Sequence, residues 1–280
     1  MKLFFSEFKA NYQKYHFPYQ VWLLKEAGDE AEKIYENGFL PIRSIPNVYY
    51  LARSIRVDLE KFEQSSENRR ILRKTEGFES DLVPISEFNY TPQIQKFCKD
   101  YLAKKFGQES ITAAGIKSIF KSGIYNYVFV WKERKTQKEI GYAVSFISPS
   151  FVQYAHAFYD LRYFEQSLGA RMMLEAVNWA KESNKKYIYL GTCYEKNALY
   201  KTEFKGVEFF NGFRWSQNLE ELKELVRDRP ARQQPSPQAM AGGDRVDGEY
   251  LLKNKEYLEK FYQSDLKSIL LKYGLSVIFK

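Results

Sequence analysis

The chain has 280 residues, of which 44% are hydrophobic and 17% aromatic. This composition excludes a disordered chain and allows two modules with packed interiors. The formal net charge of +8 at pH 7 favours RNA or another anionic ligand as partner.

The cysteines and the N-terminal residues exclude several classes of protein. Cys98 and Cys193 lie far apart in the sequence, which provides neither a disulfide framework nor a thiolate metal cage. Charges interrupt the apolar residues of the first segment, and no later run approaches membrane-spanning length. We expect a cytoplasmic protein, monomeric, without a metal site and without membrane association.

Residues 1–90 predict a small first unit. Asp29 can cap a short helix that stops at Gly38, and residues 48–57 alternate as one strand. Ser65 or Ser66 then caps a helix over 67–74 that carries three arginines, Arg69, Arg70 and Arg73.

Residues 91–228 predict a second unit that contains a mixed sheet. Thr91 caps a long helix, and another helix follows over 113–121. Three antiparallel strands are expected next, over residues 125–131, 140–147 and 152–159.

The third of these strands leads into a crossover. It ends at Tyr159-Asp160, a helix opens around Ser167, a parallel strand covers 186–191, and a last strand follows over 207–215. Ligands collect at the carboxyl ends of parallel strands joined in this way.

The C-terminal part divides into a tether and a helix. Residues 229–248 hold three prolines and a Gly-Gly pair, which predicts a flexible linker. Residues 249–280 carry an apolar stripe typical of a helix that docks on the body of the protein, although a partner-binding or membrane-surface helix fits the same pattern.

The antiparallel strands, the helix at Ser167-Leu168-Gly169 and the next strand resemble the acyl-CoA N-acyltransferase fold of the acetyltransferase superfamily. The resemblance implies an α/β fold, with a mixed sheet flanked by helices and a second, reduced N-terminal unit of similar type. In that superfamily the turn before the helix holds pyrophosphate. Gln166 and Gly169 fit its pattern, but Arg171 stands where Gly or Ala is expected.

A narrower resemblance covers more residues. The order Tyr159-Asp160, Ser167-Leu168-Gly169, Tyr189-Leu190-Gly191, Tyr200-Lys201 and Trp215 is similar to the C-terminal half of the arginyl/leucyl-tRNA-protein transferases. Several departures accompany it. The cysteines that the family carries before and after its Gly-Phe segment, Gly38-Phe39 in this chain, are missing here. Leu161, Arg162 and Gly206 replace the family's Pro, Asp and Pro.

This resemblance implies transfer of an amino acid from aminoacyl-tRNA to the N-terminal amine of a protein or peptide, without a cofactor. Asp160 is the candidate for orienting or deprotonating the amine, although a carboxylate that merely caps the turn fits equally. The candidate substrate-binding residues are Tyr159, Gln166, Ser167, Gly169, Tyr194, Tyr200, Lys201, Lys205, Arg69, Arg70 and Arg73.

Two other functions remain open. One is an N-acyltransferase that uses acetyl-CoA and acts on a small amine or peptide. The other is an RNA-binding module without turnover. His156 is expected to share a strand face with Val152 and Tyr154 as a packed histidine, and no catalytic triad or P-loop pattern is visible.

Overall fold

A computed structural model describes residues 1–7, 19–43, 45–107 and 111–227. The tether predicted over 229–248, the C-terminal helix predicted over 249–280 and His16 lie outside these residues. None of the described helices combines the length and the hydrophobicity that a bilayer crossing requires.

The described residues form strands and helices that we number in chain order. The strands are β1 (Lys2–Glu7), β2 (Tyr19–Leu24), β3 (Phe39–Pro41), β4 (Val48–Leu51), β5 (Ser54–Asp58), β6 (Phe78–Pro84), β7 (Tyr127–Glu133), β8 (Glu139–Ile147), β9 (Phe151–Tyr159), β10 (Tyr187–Thr192), β11 (Val207–Phe210) and β12 (Trp215–Ser216). The α-helices are α1 (Ala31–Glu36), α2 (Ser66–Lys74), α3 (Pro92–Phe106), α4 (Ala113–Lys121), α5 (Leu168–Glu182) and α6 (Leu219–Arg227), and 3₁₀ helices cover Leu161–Tyr163 and Lys196–Thr202.

The large sheet has eight strands in the order β12-β11-β5-β10-β9-β8-β7-β6. β9 and β10 run parallel, and the other neighbours are antiparallel. Neighbouring residues of β8 show that helices cover both faces, because side chains alternate along a strand. Gly141 packs against Met172 of α5, whereas the ring of Tyr142 contacts Phe97 of α3. The predicted α/β class, with a mixed sheet flanked by helices, is confirmed.

A small antiparallel sheet, in the order β1-β2-β4-β3, packs beside the large one through α1. The ring centroid of Tyr35 lies 4.5 Å from that of Phe151 and 5.1 Å from that of Tyr189. The Tyr35 hydroxyl also donates to the side chain of Gln153. Helix α1 thereby packs against β9 and β10.

Two helix caps predicted from the sequence are present, whereas the cap predicted at Asp29 is wrong, because Glu30 occupies the N-cap position of α1 and makes no side-chain capping hydrogen bond. Ser65 Oγ accepts from the Asn68 amide at 3.1 Å, and Thr91 Oγ1 accepts from the Ile94 amide at 3.3 Å. Each satisfies an amide that the first turn leaves without a helical partner.

The strand predicted over 48–57 is wrong, because this segment forms two strands in different sheets. β4 belongs to the small sheet, and β5 lies between β10 and β11 in the large one. Residues of the predicted unit 1–90 therefore take part in the large sheet, and the domain boundaries stay a prediction.

The strand predicted over 207–215 is also wrong, because β11 and β12 form a hairpin in which Phe210 pairs with Trp215. Gly212 in its loop has φ of 105°, a conformation that few residues other than glycine adopt. The sequence analysis did not predict β6 or α6.

Candidate active site

The parallel strands β9 and β10 separate part-way along their length. Their pairing runs from Phe151↔Tyr187 to Gln153↔Tyr189, whereas β9 continues to Tyr159. We call the gap beyond Gln153 and Tyr189 the β9–β10 opening. It lies at the carboxyl ends of parallel strands, where the sequence predicts ligand binding.

A β-bulge changes the direction of the side chains on β9. Tyr154 pairs with Ser145 and His156 with Val144, so two steps on β9 match one step on β8. The expectation that His156 shares a face with Tyr154 is therefore wrong. His156 Nε2 lies 3.0 Å from the Tyr125 hydroxyl, and burial, with a smaller contribution from Arg43, lowers the pKa of His156 to about 3.

The end of α3 borders the opening with a tyrosine and a lysine. Lys105 Nζ donates to the Tyr101 hydroxyl at 2.8 Å and lies 5.3 Å from the centroid of the Tyr159 ring. Tyr101 and Tyr159 have centroids 5.0 Å apart, and burial lowers the pKa of Lys105. The sequence analysis missed Lys105, although its position four residues after Tyr101 puts both on one helix face.

Lys201 reaches the carboxyl end of β10. Its Nζ donates to the Thr192 carbonyl oxygen at 2.8 Å. Burial lowers the pKa of Lys201 to about 8; Lys105 acts in the same direction and Cys193 opposes it. A substantial fraction of this side chain is consequently a neutral amine near pH 8.

The turn that opens α5 is packed tightly. A β-carbon on Gly169 would lie 2.9 Å from Cε1 of Tyr159, so the tyrosine ring rests on the glycine backbone. Ser167, at the N-cap position, has φ of 64° and makes no side-chain capping hydrogen bond. Gln166 precedes it and is exposed.

Arg171 ties α5 to α2. Its Nη1 donates to the Leu72 carbonyl oxygen at 3.1 Å and to Thr75 Oγ1 at 3.2 Å, and its guanidinium pairs with Glu175. The residue that breaks the acetyltransferase pattern is thus held in contacts between helices.

The carboxylate of Asp160 is surrounded by cations. It accepts from the Arg162 amide at 3.1 Å, pairs with the Arg162 guanidinium and lies 3.8 Å from Lys138 Nζ. The hydrogen bond from Arg162 is the main reason that the pKa of Asp160 is lowered. This geometry fits the capping interpretation, and the catalytic role of Asp160 stays a prediction.

The structure separates the other candidates. The Tyr194 hydroxyl accepts from the Arg53 amide at 3.0 Å, and Tyr200 is 46% exposed on the 3₁₀ helix that also carries Lys201. Lys205 is not near Lys201 Nζ. It pairs with Glu63 at the start of β10, the opposite end of the strand from Thr192.

The three arginines of α2 lie on an exposed surface beside α5. Arg70 pairs with Glu67, while Arg69 donates to the Gln64 carbonyl oxygen at 2.7 Å. Arg73 is close to the end of the helix, where the next residue, Lys74, donates to the Glu165 carbonyl oxygen. The C-terminal end of α2 is therefore adjacent to the turn that contains Gln166.

Exposed aromatic side chains occur on three elements that border the opening. Phe106 ends α3, Phe164 lies in the turn between β9 and α5, and Tyr200 precedes Lys201; they are 59%, 67% and 46% exposed. A single exposed aromatic needs no explanation, but several on the elements around one opening offer rings on which a ligand can stack. The sequence analysis did not single out Phe106 or Phe164.

The two cysteines are buried and unpaired. In the part of the chain that the structure describes, His, Cys, Asp and Glu side chains form no group of three or more that could hold a metal ion.

Residues 73–211 match the family described as "Arginine-tRNA-protein transferase, C terminus". Over this segment the chain is similar to that transferase family. The match begins near the end of α2 and ends just beyond β11, so it includes the β9–β10 opening, Lys201 and the turn at Gly169.

Two similar sequences carry the name aspartate/glutamate leucyltransferase. The protein of Ruegeria pomeroyi is 24% identical over 168 residues, covering 58% of this chain and 60% of the relative. That of Saccharophagus degradans is 26% identical over 172 residues, covering 58% and 69%. The resemblance to arginyl/leucyl-tRNA-protein transferases is confirmed, and the chain spans about three fifths of the length of the first relative.

Solved structures show more distant likenesses. The C-terminal domain of a putative lysylphosphatidylglycerol synthetase from Agrobacterium fabrum aligns with a TM-score of 0.40 and 14% identity, over 51% of this chain and 47% of that one. A structure of FemX aligns with a TM-score of 0.37 and 10% identity, over 57% and 58%.

Proposed function

We propose that this protein transfers an amino acid from aminoacyl-tRNA to the α-amine of an acceptor protein or peptide. The observation that carries the proposal is the β9–β10 opening, lined by Tyr159, Lys105 and Lys201, within the segment that matches the transferase family. The names of the two relatives support leucine as the amino acid and an acidic first residue in the acceptor.

The part of the opening proposed to bind the aminoacyl-tRNA has the chemistry of a site for an unpaired RNA end. Phe106, Phe164 and Tyr200 present exposed rings on which bases can stack. The arginines of α2 extend the positive charge along α5, as contacts to the phosphates of an acceptor stem require.

The reaction needs a neutral amine near an ester that is already activated. The amine nitrogen forms the new peptide bond with the ester carbonyl carbon, the bond to the ribose oxygen breaks, and the amine proton passes to that oxygen. An α-amine has a pKa close to 8, so part of it is already neutral near that pH. Positioning the amine against the ester therefore supplies most of the rate. A neutral Lys201 can accept the amine proton and pass it to the departing ribose oxygen, whereas the ion-paired Asp160 is a weaker base.

The test measures transfer of radiolabelled leucine or arginine from charged tRNA to peptides that begin with Asp, Glu or Ala. We expect transfer from at least one charged tRNA. Lys201→Met should lower the rate by about a hundredfold. Lys205→Met is the matched control, because that lysine is exposed at the other end of β10.

An acetyl-CoA-dependent acyltransferase is the competing enzyme. If no charged tRNA supports transfer while acetyl-CoA raises the melting temperature, the proposal fails in favour of that enzyme. Tight packing of Tyr159 on Gly169 and the use of Arg171 between helices both weigh against acetyl-CoA.

A further inference from the structure

Arg43 lies in the hairpin between β3 and β4, just after Ile42, whose amide donates to the Val48 carbonyl oxygen at 3.0 Å. The side chain is partly buried. Among the residues that the structure describes, its guanidinium has no carboxylate within ion-pair distance and no hydrogen-bond acceptor. Five N–H donors in a partly enclosed site are thus left for solvent or a ligand.

Other arginines of low exposure are paired. Arg56 contacts Glu208 at 2.8 Å, and Arg171 contacts Glu175. Burying a guanidinium without an anion is costly, so the different state of Arg43 needs an explanation.

The groups near Arg43 are neutral. Its charge acts on Tyr50, Tyr125 and His156, and burial keeps the pKa of His156 low enough for the ring to be uncharged at pH 7. The Tyr50 hydroxyl makes no hydrogen bond to another described residue. Tyr50 packs against the cluster that contains Phe151 and Tyr189 of the large sheet, and Arg43 is near enough to act on both Tyr50 and His156, while no described carboxylate pairs with Arg43.

This group of residues adjoins the β9–β10 opening. His156 follows Gln153 on β9, beyond the last residue that pairs with β10. Tyr50 is also close enough to Tyr194, which follows β10, for the two phenols to interact. The opening consequently has Lys201 at the end of β10 and Arg43 on the side of the small sheet.

We propose that Arg43, assisted by the hydroxyl of Tyr50, binds the side-chain carboxylate of an acidic residue at the N-terminus of the acceptor. The inference rests on the proposed function, because it supplies the acceptor for that reaction. One planar guanidinium with a phenol donor matches a single carboxylate. An RNA backbone would require a row of exposed cations, whereas Arg43 is a single, partly buried cation.

The experiment measures calorimetric binding of two peptides, Glu-Ala-Ala-amide and its Gln-Ala-Ala-amide counterpart, to the full chain. We expect the Glu peptide to bind more tightly. Arg43→Met should weaken its binding by about tenfold to a hundredfold and leave the Gln peptide nearly unchanged. Arg43→Lys, which retains the charge, should weaken binding less. Arg134→Met, which removes an exposed arginine that pairs with Glu79, should leave binding of both peptides unchanged.

Equal binding of the two peptides, or an unchanged preference in both Arg43 variants, overturns the inference. Loss of tRNA binding in Arg43→Met with unchanged peptide binding overturns it in favour of a phosphate site. The same proteins are assayed for transfer. If Arg43 governs peptide binding but no charged tRNA supports transfer, the acceptor site stands and the proposed function is refuted. If transfer occurs but does not depend on Arg43, the proposed function stands and the acceptor site is refuted.

Discussion

The ring of Tyr159 lies on the α-carbon of Gly169, so that a methyl group added there would come within 2.9 Å of Cε1. Gly169→Ala must therefore displace the ring at the β9–β10 opening. We expect about 1–2 kcal/mol lower free energy of unfolding and about a tenfold slower transfer. Urea denaturation and the transfer assay measure the two effects.

Gly77→Ala is the matched control for this substitution. Nothing lies within 4 Å of a β-carbon built on Gly77, and its φ is not positive. The free energy of unfolding should change by no more than about 0.5 kcal/mol. Equal effects of the two substitutions would show that the contact with Tyr159 is unimportant.

Lys201→Met should change how stability depends on pH. The pKa of Lys201 is about 8 in the folded chain, against an ordinary value of 10.5. Between these values the unfolded state binds more protons, so the stability of the wild type rises as the pH increases from 8 to 10.5. Holding the charged form costs the wild type about 3 kcal/mol at pH 7. The difference in free energy of unfolding between Lys201→Met and the wild type, measured at pH 7, 8.5 and 10, should shrink as the pH rises. A constant difference would contradict the burial of the amine.

His156→Gln should remove a source of acid instability. The pKa of His156 is about 3 in the folded chain and ordinarily 6.5, so the unfolded state binds the extra proton between these values. The wild type should therefore lose up to about 1.4 kcal/mol per pH unit relative to the variant as the pH falls from 6 to 4. Denaturation curves at each pH measure the difference, and parallel curves would refute it. Arg43→Met should reduce the effect, since Arg43 contributes to the lowered pKa.

Asp160→Asn should slow transfer while leaving the affinity for tRNA unchanged, because the carboxylate acts at the acceptor amine or holds the turn beside it. Initial rates and filter binding separate the two quantities. Arg162→Met removes the main ion-pair partner but keeps the carboxylate. A rate lowered equally in both variants would assign Asp160 to the turn, and weaker tRNA binding in Asp160→Asn would contradict the prediction.

Local signals in the sequence identified much of the second unit. The cap at Thr91 and the helix over 113–121 match α3 and α4, because capping and helical periodicity depend on neighbouring residues. The strands that became β7, β8 and β9 were also predicted within two residues of their bounds.

Features that depend on distant residues were not predictable in the same way. The bulge on β9 follows from its register with β8, which alternation along β9 alone does not reveal. Arg43 has no sequence signal of function, since only the packing of the small sheet brings it to His156. Lys205 was expected to bind substrate together with Lys201, but the chain returns to the start of β10 between them.

The position of β5 has a consequence for how this protein is made and divided. β5 comes from residues before 73, yet it separates β10 from β11. A shortened gene product that begins at residue 73 would lack an interior strand, leaving two ladders of backbone groups without partners. On the ribosome, likewise, this strand must wait for more than a hundred further residues before its neighbours are synthesised, so the sheet is completed only late in translation.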